Sequence, residues 1–279
     1  MTTAADRVTV LEHDGLRFDV RDEGPLDGVP VVLLHGFPQR ASSWERVAPL
    51  LHEAGLRTLA PDQRGYAEGA RPRGRRAYAV DRLVEDLSAL VALVGAPVHV
   101  VGHDWGAVVG WAAAQDPELV RTLTAVSVPP PAAFLGAMTS SDQLLRSWYV
   151  GFFQLPLLPE VALAGPWGRQ ALRLSGMGSR ARERFQEEMV DDGALPGALG
   201  WYRALPFSGP RPGPGLVPTT FVWSDGDTAV SRAAALRCGR HVDAPYSFVE
   251  LTGVSHWIPD EVPGELAAAI IDRIASAAR

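Results

Sequence analysis

The chain has 279 residues, a formal net charge of −6 at pH 7 and 47% hydrophobic side chains. This length and apolar content suit a single folded body with a large buried core. The acidic balance and the lack of a sustained basic stretch argue against nucleic acid or an acidic membrane surface as a partner. A lone cysteine, Cys238, excludes an internal disulfide, and the absence of lysine excludes Schiff-base chemistry.

The first third of the chain predicts strands that alternate with helices. An opening antiparallel hairpin is followed by an apolar strand that runs into His35-Gly36-Phe37-Pro38, then by a strand and an amphipathic helix. The predicted ranges are 7–11 and 16–21 for the hairpin, 31–34 and 57–60 for the strands, and 79–94 for the helix. This order is typical of an α/β fold with a mainly parallel sheet flanked by helices.

A sharp turn next joins an apolar strand at 97–101 to a small-residue helix at 107–114. Its sequence is Gly102-His103-Asp104-Trp105-Gly106, and the two glycines leave room for the Asp104 side chain to project. A carboxylate that attacks an ester forms only an anhydride, whereas at a saturated carbon it forms an alkyl ester that water can cleave. The turn therefore favours a nucleophile for an epoxide or a haloalkane; a helix-capping aspartate is the alternative.

The middle of the chain predicts an inserted helical cap. Pro129-Pro130-Pro131 and the glycine- and proline-rich segment 209–215 bound it, since neither can continue a helix or a central strand. Helical patterns at 143–153 and 180–190 lie between them. The predicted division is a core of residues 1–128 and 216–279, with a cap of residues 129–215 that covers the site and excludes bulk water.

The last third predicts two strands with polar residues at their ends, and a closing helix at 261–278. The strand at 219–223 leads to Asp225 and Asp227, and the strand at 247–251 leads to His256. Asp225 is the runner-up for the acid, because an aspartate in such a turn more often bonds its own backbone. The chain order is then nucleophile, acid and histidine.

These motifs resemble the α/β-hydrolases, in which such a turn is the nucleophile elbow and usually carries serine. With aspartate there, the chain resembles the epoxide hydrolase and haloalkane dehalogenase group over nearly its whole length. The resemblance implies that Asp104 is the nucleophile and His256 the general base, and that Asp227 orients the histidine. It also implies an oxyanion hole formed by the backbone N–H groups of Phe37 and Trp105.

The epoxide hydrolase branch fits better, because an opening epoxide needs a proton donor and the segments around Tyr149 and Tyr202 resemble the two cap tyrosines of that branch. The alternative reading of both tyrosines is aromatic packing between cap helices. The resemblance to haloalkane dehalogenases would imply a halide site formed by Trp105 and either an asparagine or a second tryptophan. The chain has no asparagine, and Trp148, Trp167 or Trp201 could supply the second tryptophan. A binding protein without turnover is a further alternative. The pocket is expected to include Trp105, Trp148, Phe153, Trp201 and Trp257.

The sequence therefore predicts a cofactor-free and metal-free epoxide hydrolase that converts an apolar or aromatic epoxide into a vicinal diol. Its partners would be a small-molecule substrate and water, with neither nucleic acid nor membrane, and it would act as a monomer or homodimer. The absence of a leader pattern and of an ~18-residue apolar run predicts a cytoplasmic protein. The absence of lysine and asparagine suggests a GC-rich bacterial coding background.

Overall fold

The computed structural model describes residues 7–209 and 213–277, which contain one eight-stranded sheet. Its strands are buried in the centre and more exposed at the two edges. In chain order they are β1 (Val10–His13), β2 (Leu16–Glu23), β3 (Val29–Leu34), β4 (Leu56–Pro61), β5 (Val98–His103), β6 (Val120–Val126), β7 (Thr219–Ser224) and β8 (Tyr246–Leu251).

The strand order in the sheet is β1-β2-β4-β3-β5-β6-β7-β8. The β1–β2 and β2–β4 pairs are antiparallel, and every later pair is parallel. The predicted α/β-hydrolase architecture, with a hairpin at the edge of a mainly parallel sheet, is confirmed. Because parallel strands present their carboxyl ends at one edge, the residues after β3, β5, β7 and β8 meet there.

Helices cover both faces of the sheet and fill the long connection between β6 and β7. In chain order they are α1 (Ala48–Glu53), α2 (Val80–Val94), α3 (Trp105–Ala113), α4 (Pro131–Met138), α5 (Gln143–Arg146), α6 (Trp148–Phe152), α7 (Leu158–Ala164), α8 (Pro166–Leu174), α9 (Ser179–Arg184), α10 (Leu195–Ala204), α11 (Arg232–Ala235), α12 (Ile258–Glu261) and α13 (Pro263–Ala277). A π-helical stretch, Phe185–Asp191, continues α9.

Two apolar clusters sandwich the sheet. Side chains of α2 and α3 pack on one face, and those of α1 and α13 pack on the other. The central strand β5 is buried along its whole length, as expected for a strand covered on both sides. Burial of the elbow strand on both faces gives the turn after it a rigid base.

Helices α4 to α10 all lie between β6 and β7, in the segment expected to be the cap. Their apolar side chains join the cluster that contains α2 and α3. The start of this segment is marked by α4, which has Pro131 as its first residue. Residues 210–212 of the predicted second boundary lie outside the described residues.

Several helices differ from the prediction in length. The pattern at 143–153 predicts one helix, but Ser147 interrupts it and leaves the four- and five-residue helices α5 and α6. The closing helix begins at Pro263 rather than at residue 261, because proline stops α12 and starts α13; residue 278 lies outside the described residues. Within the described residues, no helix is long and apolar enough to span a membrane.

Candidate active site

Asp104 sits between β5 and α3 with a positive φ of 53°. A non-glycine residue adopts this backbone conformation only where the surroundings enforce it, at about 1–3 kcal/mol of strain. Close packing provides that enforcement. A Cβ on Gly106 would lie 2.0 Å from the Leu34 carbonyl oxygen, and one on Gly36 would lie 2.4 Å from the Asp104 Cβ. The glycines thus let β3, the elbow and α3 approach closely, and the turn carries Asp104 at its apex.

The two carboxylate oxygens of Asp104 have different surroundings. Oδ1 accepts a hydrogen bond of 2.8 Å from the backbone N–H of Phe37, at the end of β3. Oδ2 lies 3.6 Å from Nε2 of His256. Trp105 is the first residue of α3, so its N–H has no acceptor within the helix. Oδ1 is therefore held by the backbone, whereas Oδ2 is the oxygen left to react.

His256 follows β8 and is paired with Asp227, which follows β7. The His256 Nδ1 atom is 2.7 Å from Asp227 Oδ2. The other oxygen of Asp227 accepts hydrogen bonds from the N–H groups of Ala229 and Val230, at 2.7 and 2.9 Å. Asp225 instead accepts a hydrogen bond from the Gly253 N–H. Asp227 is thus fixed by its own loop and directed at the imidazole, while Asp225 forms a turn.

Three side chains that the sequence did not single out for this purpose hold the His256 loop. His103 Nε2 and Ser127 Oγ both bond the His256 carbonyl oxygen, at 2.9 and 3.0 Å. Ser224 Oγ donates to the Ser255 carbonyl oxygen at 2.8 Å. These residues end β5, β6 and β7, so three adjacent strands fix the backbone that carries the imidazole. Only tertiary contact joins them, and sequence pattern gives no sign of it.

Charge governs the protonation of this buried trio. Burial opposes ionisation of Asp104, but the hydrogen bond and charge of His256 and the Phe37 N–H outweigh it and lower the pKa of the carboxyl. Burial likewise opposes the imidazolium form of His256, but the charge of Asp227 and the hydrogen bonds to both carboxylates raise its pKa to about 10. In the resting site Asp104 is therefore ionised and His256 is protonated.

Two tyrosines from the inserted helices approach the nucleophile. Tyr149 lies on α6 and Tyr202 on α10, with ring centroids 6.0 Å apart and nearly perpendicular planes. Burial, followed by the Asp104 charge, raises the pKa of both phenols above their ordinary value. A hydrogen bond between Trp105 and the Tyr202 hydroxyl acts in the opposite direction on the pKa of Tyr202. Both phenols are neutral near pH 7, so they can donate protons.

Aromatic rings surround this pair. Phe37 and Phe153 lie 5.2 and 4.9 Å from the Tyr202 ring, and Trp105 lies 5.1 Å from it. These aromatic side chains give Tyr202 mostly apolar surroundings, as is typical of a pocket that binds an apolar ligand.

Of the other three expected pocket residues, two contact the site: the Trp201 ring lies 5.7 Å from that of Trp105, and the Trp257 ring lies 5.2 Å from that of His256. Trp201 is fully buried and its indole N–H donates to the Arg64 carbonyl oxygen, while the Trp257 indole donates to Ser175. Trp148 is 56% exposed and packs against Trp167. Neighbouring residues on a helix point about 100° apart, and here the Tyr149 ring contacts Tyr202 whereas the Trp148 ring contacts Trp167. Trp148 as a pocket residue stays a prediction.

The fold and the order of these residues along the chain define an α/β-hydrolase whose elbow carries aspartate. Comparison with known families agrees with that class, because the family model described as "alpha/beta hydrolase fold" matches residues 29–262. The chain belongs to the α/β-hydrolase family.

Individual proteins and solved structures are similar to the chain over nearly its whole length. The chain is 33% identical to the AB hydrolase superfamily protein YfhM of Bacillus subtilis, over 93% of this chain and 94% of that protein. It is 32% identical to Epoxide hydrolase A of Mycobacterium tuberculosis, over 94% and 95% of the two chains. Among solved structures, Epoxide Hydrolase A from Mycobacterium thermoresistibile superimposes with a TM-score of 0.83 at 28% identity, covering 95% of this chain and 97% of that one.

Proposed function

We propose that this protein is an epoxide hydrolase that opens an apolar or aromatic epoxide to a vicinal diol through an ester on Asp104. One observation carries the proposal: an ionised carboxylate at the elbow is opposed by two neutral tyrosines, Tyr149 and Tyr202. An epoxide needs both groups, because its carbon requires a nucleophile and its oxygen leaves as a strongly basic alkoxide unless it is protonated. Relatives named as epoxide hydrolases support the same reading.

In the first step Oδ2 of Asp104 attacks a ring carbon and the carbon–oxygen bond breaks. The bonding electrons move to the epoxide oxygen, which takes a proton from Tyr149 or Tyr202. Oδ1 stays bonded to the Phe37 N–H, which holds the carboxylate in one orientation. The product of this step is a hydroxyalkyl ester on Asp104 and a tyrosinate.

Ester formation prepares the second step by removing the negative charge of Asp104. The imidazolium of His256 then loses part of its electrostatic support, so its proton can pass to the tyrosinate. Neutral His256 next takes one proton from a water molecule that attacks the ester carbonyl. The oxyanion is stabilised by the N–H groups of Phe37 and Trp105. Collapse releases the diol, with the other water proton on the leaving oxygen, and restores the carboxylate and imidazolium.

The environments of the tryptophans favour this reaction over halide release. A halide site requires a second indole N–H near Trp105, and Trp148, Trp167 and Trp201 are the expected sources. Trp148 and Trp167 are 56% and 48% exposed, and the Trp201 indole already donates to a carbonyl oxygen. The Trp105 indole faces the Tyr202 hydroxyl instead.

The proposal keeps the remaining expectations from the sequence. The protein would act on a small molecule and water in the bacterial cytoplasm, as a monomer or homodimer. Residues 129–215 would form its cap. Within the described residues, no three histidine, cysteine or acidic side chains are grouped so as to hold a metal ion.

The test incubates the purified protein with an aryl epoxide and, separately, with a terminal haloalkane. Diol formation is followed by chromatography and halide by ion analysis. Diol without halide is expected. Halide without diol would show that the protein is a haloalkane dehalogenase and would overturn the proposal. The absence of both products would contradict the proposed epoxide hydrolysis.

Three variants test the assignment of residues. Asp104→Ala should abolish diol formation, and His256→Gln should accumulate the ester, seen by intact mass and located at Asp104 by peptide analysis. The matched control is Asp225→Ala, since Asp225 contacts the Gly253 backbone and not the imidazole. Diol formation that survives in Asp104→Ala would refute the mechanism.

A further inference from the structure

Beyond the proposed active-site groups, two polar side chains join the helices that carry the tyrosines. Gln154, just after α6, donates from Nε2 to the Tyr202 carbonyl oxygen at 2.7 Å. Arg203, next to Tyr202, donates from Nε to the Phe153 carbonyl oxygen at 3.1 Å and from Nη2 to that of Leu155 at 2.7 Å. Each tyrosine-bearing helix therefore sends one side chain to the backbone end of the other.

A carboxylate fixes the arginine in this position. Arg203 Nη1 and Nη2 lie 2.7 and 2.9 Å from the two oxygens of Glu160, on α7. The side chains are only 13% and 16% exposed, so water screens the pair weakly. A bidentate pair of this kind restricts the guanidinium to one orientation. Glu160 thus directs the remaining donors of Arg203 toward the end of α6.

The helices need this support. Helix α6 has only five residues, too few to be stable in isolation. The last four carbonyl oxygens of a helix have no N–H donor within the regular helix, so cap, side-chain or water donors meet them. Here Arg203 donates to the carbonyl oxygens of Phe153 and Leu155, just after α6, and Gln154 gives the Tyr202 carbonyl oxygen a second donor beside the Leu205 N–H. The N–H of Phe153 in turn bonds the Tyr149 carbonyl oxygen at 2.8 Å, which continues the connection to the first tyrosine.

We propose that Gln154 and Arg203, with Glu160, act as positioning residues that set the spacing of the Tyr149 and Tyr202 hydroxyl groups over Asp104. This inference rests on the proposed function. Neither residue touches the substrate. They act on the first half of the reaction, because the tyrosines donate their proton while the ester forms, whereas His256 and Asp227 act while the ester is cleaved.

The separation of the two half-reactions provides the test. Enzyme in excess is mixed rapidly with an aryl epoxide, and ester formation and ester cleavage are followed by quenching and intact mass. Gln154→Leu keeps the size of the side chain and removes its donors. Arg203→Lys keeps the positive charge opposite Glu160 and removes the guanidinium donors that bond the carbonyl oxygens of Phe153 and Leu155. The matched control is Gln186→Leu, because the amide of Gln186 bonds only the exposed Asp191 side chain.

Both test variants should slow ester formation on the order of tenfold to a hundredfold, since small misplacement of a proton donor has effects of that size. Ester cleavage should stay within about threefold of the unsubstituted protein, because the proton has passed from His256 to the tyrosinate before water attacks and the groups that activate the water are unchanged. An electron-poor epoxide leaves as a weaker base, so the defect should shrink with such a substrate. A purely structural role would not produce that dependence.

The outcomes separate the two proposals. If the unsubstituted protein forms neither ester nor diol, the proposed function fails and the positioning role fails with it. If it forms both, but the variants form ester at the unsubstituted rate or lose both steps equally, only the positioning role is overturned. Should Gln154→Leu fail to fold, Arg203→Lys gives the same comparison.

Discussion

The pKa of His256 should depend on the charge of Asp104, and this dependence decides whether the same histidine can rest as a cation and later act as a base. The perturbation is Asp104→Asn, which removes the charge, nearly preserves the shape and tolerates a positive φ better than most residues do. The charge that disappears is centred on an oxygen 3.6 Å from His256 Nε2. The second carboxylate, Asp227, remains in place.

The magnitude follows from that distance. At 3.6 Å, unit charges interact by about 4.6 kcal/mol in a medium with an effective dielectric constant of about 20, and by about 1 kcal/mol with water-like screening. Since about 1.4 kcal/mol corresponds to one pH unit, the pKa of His256 should fall by roughly one to three units. It should therefore fall from about 10 to between about 7 and 9. The alkylated enzyme should show the same change, because the ester is also uncharged.

The assay is an NMR titration of ring-labelled histidine, with the His256 signal assigned from its loss in His256→Gln. Intact mass verifies that the introduced amide is retained during the titration. Asp225→Asn is the control, since it removes a nearby carboxylate that does not contact the imidazole. An unchanged His256 pKa in Asp104→Asn would refute the reasoning. Ester formation could then not release the histidine proton by removing the Asp104 charge.

Two further predictions concern stability. Gly106→Ala places a Cβ 2.0 Å from the Leu34 carbonyl oxygen, and urea titration should show a free energy of unfolding that is lower by at least about 1–3 kcal/mol. The control is Gly151→Ala, whose added Cβ meets no atom within 4 Å and should not lower the free energy of unfolding by that amount. Equal effects of the two substitutions would contradict the packing argument. Burial lowers the pKa of His35 to about 3 and that of His103 to about 4, so the unfolded chain binds more protons than the folded chain between about pH 4 and 6.5. Through these groups the free energy of unfolding should fall as pH drops below about 6.5, and a pH-independent urea midpoint over that range would exclude this contribution.

The elements that sequence predicted well are those specified by local chemistry. The elbow was recognisable because Gly102 and Gly106 are required by backbone approaches that no side chain can enter. The preference for Asp227 over Asp225 came from the family resemblance, and the observed contacts place Asp227 beside His256. Core strands were visible because they are continuous apolar runs, which a sheet covered on both faces requires.

The parts that sequence did not predict depend on contacts between distant segments. Ser127 and His103 meet at the His256 carbonyl only because β5, β6 and β8 end at the same edge of the sheet. The placement of Trp148 depended on the rotation of a five-residue helix, which apolar periodicity over so short a range cannot define. The break at Ser147 was hidden for the same reason, since its surroundings are helical on both sides.

The charge balance of the site explains why its three histidines have different protonation states. His35 and His103 are buried beside carbonyl and cationic neighbours, and burial keeps them neutral. His256 is equally buried, but two carboxylates face it and hold it protonated. Asp104, Asp227 and His256 are all buried, and a buried carboxylate gains less from hydration than an exposed one. Attack on a neutral epoxide moves the negative charge of Asp104 through the opening oxygen to a tyrosinate, so the imidazolium of His256 then has a strong base to which it can give its proton. Loss of that proton frees the base that the second step needs.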